Sequence, residues 1–219
     1  MKTLIHGDCL VELPKLKSNS INHAFTSPPY NRKRNDKYSE FTDINHNWYE
    51  MNVLVINELL RITTGHVFYN IQANYYNRED VYKLIGEFSN YIVDIHIWEK
   101  SNPMPASGKA ITNSVEYFIV LGNSSLKSNT TYTKNIVTTS VHSKMPKEHK
   151  AVMHPKVAHH FISKFTSVGD SIIDPFMGMG TTGIECLSSG RDFIGIELGD
   201  IYFDLASNKL NNNSASIGA

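Results

Sequence analysis

The alternation of short apolar segments with helical patterns constrains the fold of this chain more than any other feature. Seven segments read as strands, several of them as buried strands, and stretches with apolar residues at helical spacing separate most of them. The predicted strands are Thr3–His6, Ile21–Thr26, His66–Ile71, Tyr91–Trp98, Val115–Leu121, Ser171–Asp174 and Asp192–Ile196. This alternation predicts an α/β fold, with a mainly parallel sheet covered by helices on both faces.

The remaining chain divides into predicted helices and loops. The predicted helices are Trp48–Ile62, Glu79–Phe88, Pro155–Phe165, about Thr181–Ser189 and Asp200–Leu210, with a shorter helical pattern at Cys9–Leu16. A length of 219 residues is enough for one α/β domain with its own core, so residues 1–219 are predicted to form a single domain. Residues 122–150 show no clear periodicity and indicate an insert on this domain.

Composition restricts the classes of protein to which this chain can belong. Hydrophobic residues make up 41% and charged residues 19%, and no apolar run approaches the roughly 20 residues of a membrane span. The two cysteines, Cys9 and Cys186, form no CxxC pair or Cys/His cluster, and the ten histidines have no zinc-site spacing. We therefore expect a cytoplasmic protein with no disulfide framework, no metal site and no membrane segment.

Charge is unevenly placed along the chain, although the formal net charge is zero. Residues 32–37 carry four basic side chains against one acidic one, and residues 127–150 carry five lysines against one glutamate. Basic loops of this kind can follow a phosphate backbone, but they are equally common as solvated surface loops. Zero net charge by itself argues weakly against nucleic acid as a partner, so charge leaves the question open.

A glycine-rich turn follows the predicted strand that ends at Asp174. It reads Asp-Pro-Phe-Met-Gly-Met-Gly-Thr-Thr-Gly over residues 174–183 and leads into a predicted helix. Glycines let the backbone approach a ligand, and the N–H groups at a helix start favour an anionic group. Glu197 ends the next predicted strand, where a carboxylate can accept hydrogen bonds from both ribose hydroxyls. The two features predict a nucleoside-containing cofactor, and the Gly-x-Gly-Thr-Thr-Gly spacing also fits a dinucleotide.

A second turn, Ser27-Pro28-Pro29-Tyr30, follows the predicted strand Ile21–Thr26. Its two prolines fix the backbone and remove two N–H donors, which leaves the Ser27 hydroxyl and nearby carbonyls as acceptors. Tyr30 adds a flat aromatic face. This combination suits a planar base whose amino group donates hydrogen bonds while its ring stacks, although a rigid turn with a purely structural role fits the same residues.

Together, the two turns resemble the motifs of the amino-methylating DNA methyltransferase family. Residues 27–30 match its catalytic motif and residues 174–182 its cofactor motif, and residues 5–10, 98–105 and 190–198 are also similar. The resemblance spans nearly the whole chain, and the order of its motifs, catalytic before cofactor, resembles the permuted beta group. It implies a Rossmann-like S-adenosylmethionine-dependent methyltransferase fold, with a mostly parallel seven-stranded sheet and helices on both faces.

The resemblance also implies roles for individual residues. S-adenosyl-L-methionine would be the cofactor, with its ribose hydroxyls on Glu197 and its adenine amino group near Asp8. The residues implied for cofactor binding are Asp8, Cys9, Asp174, Phe176, Gly178, Gly180, Thr181, Thr182 and Glu197. The residues implied for catalysis are Ser27, Pro28, Pro29 and Tyr30, with Tyr30 stacking on a base that is flipped out of the duplex.

The implied reaction is methylation of the exocyclic amino group of a DNA base. Ser-Pro-Pro-Tyr resembles the cytosine N4 enzymes more often and Asp-Pro-Pro-Tyr the adenine N6 enzymes, so cytosine N4 is the expected target and adenine N6 the alternative. A nicotinamide-dependent oxidoreductase and a non-catalytic DNA-binding module also remain, but the oxidoreductase leaves the Ser27 turn unexplained. RNA and protein glutamine side chains are further acceptors of related enzymes.

DNA recognition in the permuted beta group usually lies between the two motifs, which here means residues of about 123–150. That region is short for the family. We therefore expect loops at about 31–47 and 101–113, or a second subunit in a homodimer, to contribute to DNA binding. His154-Pro155 resembles a family segment, but the three residues that follow depart from it, so no ligand role is assigned there.

Overall fold

Strands and helices alternate along the computed structural model, which describes residues 1–32, 46–103, 105–106, 108, 110–140 and 153–216, the last four as backbone only. The strands are β1 (Lys2–His6), β2 (His23–Thr26), β3 (Val67–Ile71), β4 (Ile92–Lys100), β5 (Val115–Leu121), β6 (Ile136–Thr139), β7 (Ser171–Asp174) and β8 (Asp192–Glu197). The helices are α1 (Cys9–Glu12), α2 (Trp48–Ile62), α3 (Arg78–Glu87), α4 (Pro155–Phe165), α5 (Thr181–Ser188) and α6 (Asp200–Ser216), with a 3-10 turn (Leu13–Lys15) after α1. None of the helices in these ranges is long and apolar enough to cross a lipid bilayer.

The strands of the described residues form one sheet in the order β1-β8-β7-β2-β3-β5-β4-β6. Neighbouring strands are parallel except at β5, which is antiparallel to both β3 and β4. From β2 the chain continues to β3 on one side, whereas from β7 it continues to β8 on the other side. The adjacent strands β2 and β7 are therefore the point at which strand order reverses, where α/β sheets usually bind ligands.

The structure corrects the expected strand count, because the sheet has eight strands instead of seven. The additional strand is β6, which lies within the segment 122–150 that showed no clear periodicity. It pairs with β4 at the edge of the sheet. In this strand the apolar Ile136 is exposed and the polar Thr139 is buried, which is the reverse of the usual pattern. Thr139 is buried because its hydroxyl accepts a hydrogen bond of 2.8 Å from Trp98 Nε1. A contact between distant residues therefore fixes this strand, and hydrophobic alternation does not reveal it.

Helices cover both faces of the sheet, and each face has its own apolar core. α2 and α3 pack on one face, where Leu59 is fully buried. α4, α5 and α6 pack on the other face, where the rings of Phe118 in β5 and Phe161 in α4 have centroids 4.2 Å apart. Cys9 lies in the first core and Cys186 in the second, as free thiols whose pKa values burial raises. Both cysteines therefore pack as apolar side chains.

Gly183 in α5 lies so close to β8 and α6 that one added methyl group clashes. A Cβ at Gly183 would lie 2.6 Å from Phe193 Cε1 and 2.9 Å from Leu210 Cδ2. We expect Gly183→Ala to lower the free energy of unfolding by about 1–3 kcal/mol, because overpacking outweighs the helix preference of alanine. Urea unfolding measures the change.

The matched control is Gly86→Ala in α3, where an added Cβ meets no atom of the described residues within 4 Å. Alanine there should raise the free energy of unfolding by about 0.5–1 kcal/mol, because only the helix preference acts. A Gly183→Ala protein as stable as the Gly86→Ala protein would contradict the close packing of α5.

Candidate active site

The two turns singled out from the sequence lie side by side at the carboxyl edge of the sheet. β2 and β7 are neighbours in parallel register, with His23 opposite Ile172 and Ala24 opposite Ile173. At their ends, Thr26 Oγ1 donates a hydrogen bond of 2.7 Å to Asp174 Oδ1. The Ser27 turn and the glycine turn therefore leave adjacent strands at the point where strand order reverses, and they face a common site.

Asp174 lies beneath the glycine turn and holds it in shape. Only 4% of the residue is exposed, and its carboxylate accepts hydrogen bonds from Thr26 Oγ1, Thr182 Oγ1 at 2.6 Å and the backbone N–H of Phe176 at 3.1 Å. Burial raises the pKa of Asp174 to about 6, while the hydrogen bonds from the two threonines and Phe176 act in the opposite direction. Asp174 thus joins β2, β7 and the start of α5 through one carboxylate.

The glycines of the turn have the backbone conformation for which glycine is needed. Gly178 has a φ of +51° and Gly180 a φ of +78°, in the left-handed region that side chains with a Cβ rarely adopt. Gly180 is the N-cap of α5, so the turn leads directly into the helix start at Thr181. Thr182 is buried against Asp174, whereas Thr181 and Phe176 are half-buried. The turn therefore presents two partly accessible side chains beside the start of α5.

Glu197 ties the glycine turn to the next strand end. Its Oε2 accepts a hydrogen bond of 2.8 Å from the Gly178 N–H, and its Oε1 accepts one of 3.0 Å from the Gly199 N–H. Burial raises its pKa, and the backbone hydrogen bonds lower it. The Glu197 carbonyl also accepts from the Gly7 N–H at 2.9 Å, which brings the end of β1 alongside. A carboxylate with this placement can accept hydrogen bonds from hydroxyl groups of a ligand in front of the turn.

Asp8 and Cys9 follow β1 at the same edge. The Asp8 side chain is exposed and caps α1 by accepting a hydrogen bond of 2.9 Å from the Leu10 N–H. Cys9 is buried in the core beneath. Of the two residues proposed from the sequence at this point, Asp8 can therefore meet a ligand with its side chain, whereas the thiol of Cys9 packs inwards.

The Ser27 turn is held by hydrogen bonds to its carbonyl groups. Pro29 O accepts from Trp48 Nε1 at 2.6 Å, and Tyr30 O accepts from Asn74 Nδ2 and Asn77 Nδ2, both at 2.8 Å. Among the described residues, no hydrogen bond is made to the carbonyl of Pro28. That carbonyl and the half-buried Ser27 hydroxyl can therefore each accept a hydrogen bond from a ligand.

The comparison with protein families decides the class of the protein. A model of the DNA methylase family, which groups N6 and N4 methyltransferases, matches residues 21–208. The chain belongs to this family. The match includes both turns, so the nicotinamide-dependent alternative drawn from the glycine spacing has no further support.

Individual relatives agree with this membership. M.HinfI of Haemophilus influenzae, a Type II methyltransferase, is 26% identical over 251 residues, covering 96% of this chain and 68% of that protein. The structure of PvuII DNA methyltransferase (cytosine-N4-specific) superposes with a TM-score of 0.78 at 18% identity, covering 99% of this chain and 92% of that one. A putative DNA modification methylase from Thermus thermophilus, solved with S-adenosyl-L-methionine, has a TM-score of 0.70 at 20% identity, covering 97% and 94%. The two structures confirm the expected fold class.

Sequence reasoning missed several polar residues of the methylase that surround Tyr30. Asn70 of β3 is fully buried, and its Oδ1 lies within hydrogen-bond distance of Tyr30 OH and, at 3.1 Å, of Ser27 Oγ. Glu116 of β5 is 3% exposed, accepts from Tyr30 OH at 2.8 Å and forms an ion pair with Lys100. The sequence did contain a signal for Asn70 and Glu116, because each is a polar residue within an otherwise apolar predicted strand, and a buried polar residue is informative. Asn74 and Asn77, in the loop after β3, gave no such signal.

Tyr30 is held by its hydroxyl in this arrangement. Burial raises its pKa well above the usual value, and the negative charge of Glu116 adds to that rise. The guanidinium of Arg32 lies 5.1 Å from the centroid of the Tyr30 ring. Stacking of Tyr30 on a flipped base, as implied by the family resemblance, stays a prediction.

The predicted DNA-binding loops lie partly outside the described residues. This applies to residues 33–45 of the loop 31–47, to Met104, Ser107 and Lys109 of the loop 101–113, and to residues 141–150 of the segment 123–150. His154, which was given no ligand role, caps α4 by accepting a hydrogen bond of 3.2 Å from the Lys156 N–H. Within the described part of the chain, no cluster of three or more metal-binding side chains is found.

The raised pKa of Asp174 gives the stability of the methylase a defined pH dependence. The pKa moves from 3.8 to about 6, so the folded protein binds this proton more tightly than the unfolded chain. The contribution of Asp174 to stability therefore falls as the pH rises between these values and is constant above them. Relative to Asp174→Asn, the wild-type free energy of unfolding should fall by about 3 kcal/mol in total between about pH 3 and about pH 7.

Urea unfolding of both proteins across this pH range measures the difference, and groups that titrate in both proteins cancel from it. A difference that grows as the pH rises would mean that hydrogen bonding, and not burial, dominates the pKa of Asp174.

Proposed function

We propose that this methylase transfers a methyl group from S-adenosyl-L-methionine to the exocyclic amino group of a flipped DNA base, with cytosine N4 as the favoured target. The observation that carries the proposal is the hydrogen bond of 2.7 Å from Thr26 Oγ1 to Asp174 Oδ1. It joins the two strand ends from which the two turns start. A group bound at the glycine turn and a base bound at the Ser27 turn then share one site, as direct methyl transfer requires.

The residues of the glycine turn fit the chemical groups of S-adenosyl-L-methionine. Glu197 offers carboxylate oxygens to the ribose hydroxyls, and exposed Asp8 at the adjoining strand end can accept a hydrogen bond from the adenine amino group. The left-handed Gly178 and Gly180 let the backbone approach the methionine part, whose carboxylate suits the N–H groups at the start of α5. When bound, this cofactor supplies an electrophilic methyl group.

The Ser27 turn supplies what an amino group needs in order to react. The lone pair of an exocyclic nitrogen is delocalised into the ring and is a poor nucleophile. The Ser27 hydroxyl and the Pro28 carbonyl can accept one hydrogen bond each from the two amino hydrogens, which favours a tetrahedral nitrogen with a directed lone pair. The turn is rigid because Trp48 and two asparagines hold the carbonyls of Pro29 and Tyr30, so this orientation is set before reaction.

We further propose that the basic loops at about 31–47, 101–113 and 123–150 contact DNA, and that residues 1–219 form one domain. The segment between the turns is short for target recognition, so a homodimer in which a second copy completes the DNA contacts fits this arrangement. Light scattering of the protein with and without DNA tests the homodimer.

The target base is tested by expressing the methylase in a host that lacks DNA methylation and analysing hydrolysed DNA by mass spectrometry. We expect N4-methylcytosine, because the first position of the catalytic turn is Ser27 and because PvuII methyltransferase, a fold neighbour, is named as cytosine-N4-specific. N6-methyladenine would establish the alternative target. If neither base is found, and the purified protein transfers no tritiated methyl to DNA, the methyl-transfer proposal fails.

The role of the turn is tested by Ser27→Ala. We expect turnover to fall by about a hundredfold, because one preorganised acceptor for the amino group is lost. Calorimetric binding of S-adenosylhomocysteine should stay nearly unchanged, since Ser27 contacts β3 and Tyr30 and not the glycine turn. Ser20→Ala is the matched control, because that exposed hydroxyl bonds only locally to Lys17 O at 2.7 Å. Full activity in Ser27→Ala would refute the assignment.

A further inference from the structure

A chain of hydrogen-bonded side chains leads from the catalytic turn to a buried carboxylate. The Ser27 hydroxyl lies 2.8 Å from Tyr30 OH, which donates a hydrogen bond of 2.8 Å to Glu116 Oε2. The other carboxylate oxygen, Glu116 Oε1, accepts from Lys100 Nζ. Glu116 is 3% exposed, and nothing in the sequence motifs assigns it a role.

Methylation of an amino nitrogen needs a proton acceptor. As the bond from nitrogen to the methyl group forms and the bond from sulfur to the methyl group breaks, the nitrogen gains a positive charge and then has to release one proton. The Ser27 hydroxyl accepts a hydrogen bond from that nitrogen, but a neutral hydroxyl is too weak a base to retain the proton. The catalytic turn has no carboxylate of its own, because serine is its first residue.

We propose that Glu116 is the final acceptor of the proton that the methylated amino group releases, and that Tyr30 and Ser27 relay it. This inference rests on the proposed function. The nitrogen gives its proton to Ser27 Oγ, Ser27 gives its own proton to Tyr30 OH, and Tyr30 gives its own proton to Glu116 Oε2. Both hydroxyls are neutral again after the transfer, the amino group is neutral and methylated, and Glu116 is a carboxylic acid.

The surroundings of the chain support this direction of transfer. Lys100 on β4, with its side chain 16% exposed, forms an ion pair with the carboxylate of Glu116. The Asn70 amide donates from Nδ2 to Tyr117 O at 3.2 Å, so its Oδ1 lies within reach of the Ser27 and Tyr30 hydroxyls. Each hydroxyl has one proton, and in the relay that of Ser27 points to Tyr30 OH and that of Tyr30 points to Glu116 Oε2. Tyr30 is protonated at neutral pH, as a relay group must be. The guanidinium of Arg32 also lies near Tyr30, 5.1 Å from the centroid of its ring.

The first test is Glu116→Gln, which keeps the shape and the hydrogen bond to Tyr30 but not the basicity. We expect the initial rate of tritiated methyl transfer, at saturating cofactor and unmethylated genomic DNA, to fall about a hundredfold at neutral pH. Binding of S-adenosylhomocysteine, measured by calorimetry, should be unchanged. The matched control is Glu99→Gln on β4, whose carboxylate accepts from Thr138 Oγ1 at 2.8 Å at the exposed edge. That variant should keep the wild-type rate.

A pH profile separates proton transfer from a structural role. The ratio of wild-type to Glu116→Gln rates should decrease towards one as the pH is lowered, because protonation removes the base from the wild type and leaves glutamine unaffected. Titration of Asp174 and of Glu197 occurs in both proteins and cancels from the ratio. A ratio that is constant with pH would assign Glu116 a structural role and overturn the relay.

A double-mutant cycle provides a further test, and its Tyr30→Phe arm tests the relay by itself if Glu116→Gln folds poorly. Tyr30→Phe keeps the aromatic ring and removes the middle hydroxyl, so its own rate should fall to a similar extent. Tyr30→Phe/Glu116→Gln should be no slower than the slower single variant, because both changes break one relay. Multiplying losses, or full activity in Tyr30→Phe, would overturn the proposal. If the wild type is active and either of these results is found, only the relay is refuted. If the wild type transfers no methyl to DNA, the proposed function is refuted as well.

Discussion

The parallel pairing of β2 with β7 is the contact on which the candidate site depends. Hydrogen bonds to side chains stabilise this pairing at both ends. The Ser171 N–H donates to Asn22 Oδ1 at 2.9 Å where the strands begin, and Thr26 Oγ1 donates to Asp174 Oδ1 at 2.7 Å where they end. These pairs join residues 149 and 148 positions apart along the chain. Closing so long a loop costs entropy that only the assembled sheet offsets, so the site forms together with the whole fold.

This arrangement explains why polar groups are buried at the carboxyl edge of the sheet. Asp174 is almost fully buried, and the rise in its pKa shows that its hydrogen bonds do not fully replace the lost hydration. A fold selected for stability alone would have little use for such a group. Here the carboxylate accepts hydrogen bonds from Thr182 at the start of α5 and from Thr26 before the Ser27 turn, so it links the two turns. Rigidity of the site is therefore obtained at the expense of stability.

The sequence predicts the parts of this fold that depend on local pattern. The apolar run around β3 and the strand–turn–helix signal at Asp174 identify their elements without knowledge of partners. The contacts of Glu116 could not be found in this way, because Tyr30 lies 86 positions away and the strand VEYFIVL reads as uniformly buried. β6 was missed for the same reason, since Thr139 owes its burial to Trp98 in another strand. What local pattern cannot supply is the partner of a buried polar side chain.

The direction of β5 brings these separate observations together. In a parallel strand, the first residues lie at the amino edge of the sheet, far from the turns. Because β5 is antiparallel to β3 and β4, its beginning lies beside their ends. Glu116 is opposite Trp98 of β4, and its carboxylate accepts a hydrogen bond from Lys100 at the end of the same strand. One reversed strand thus places a buried carboxylate at the edge where Ser27 and Asp174 meet. The antiparallel strand therefore does more than extend the sheet, since a parallel one would leave Tyr30 without an acid to bond.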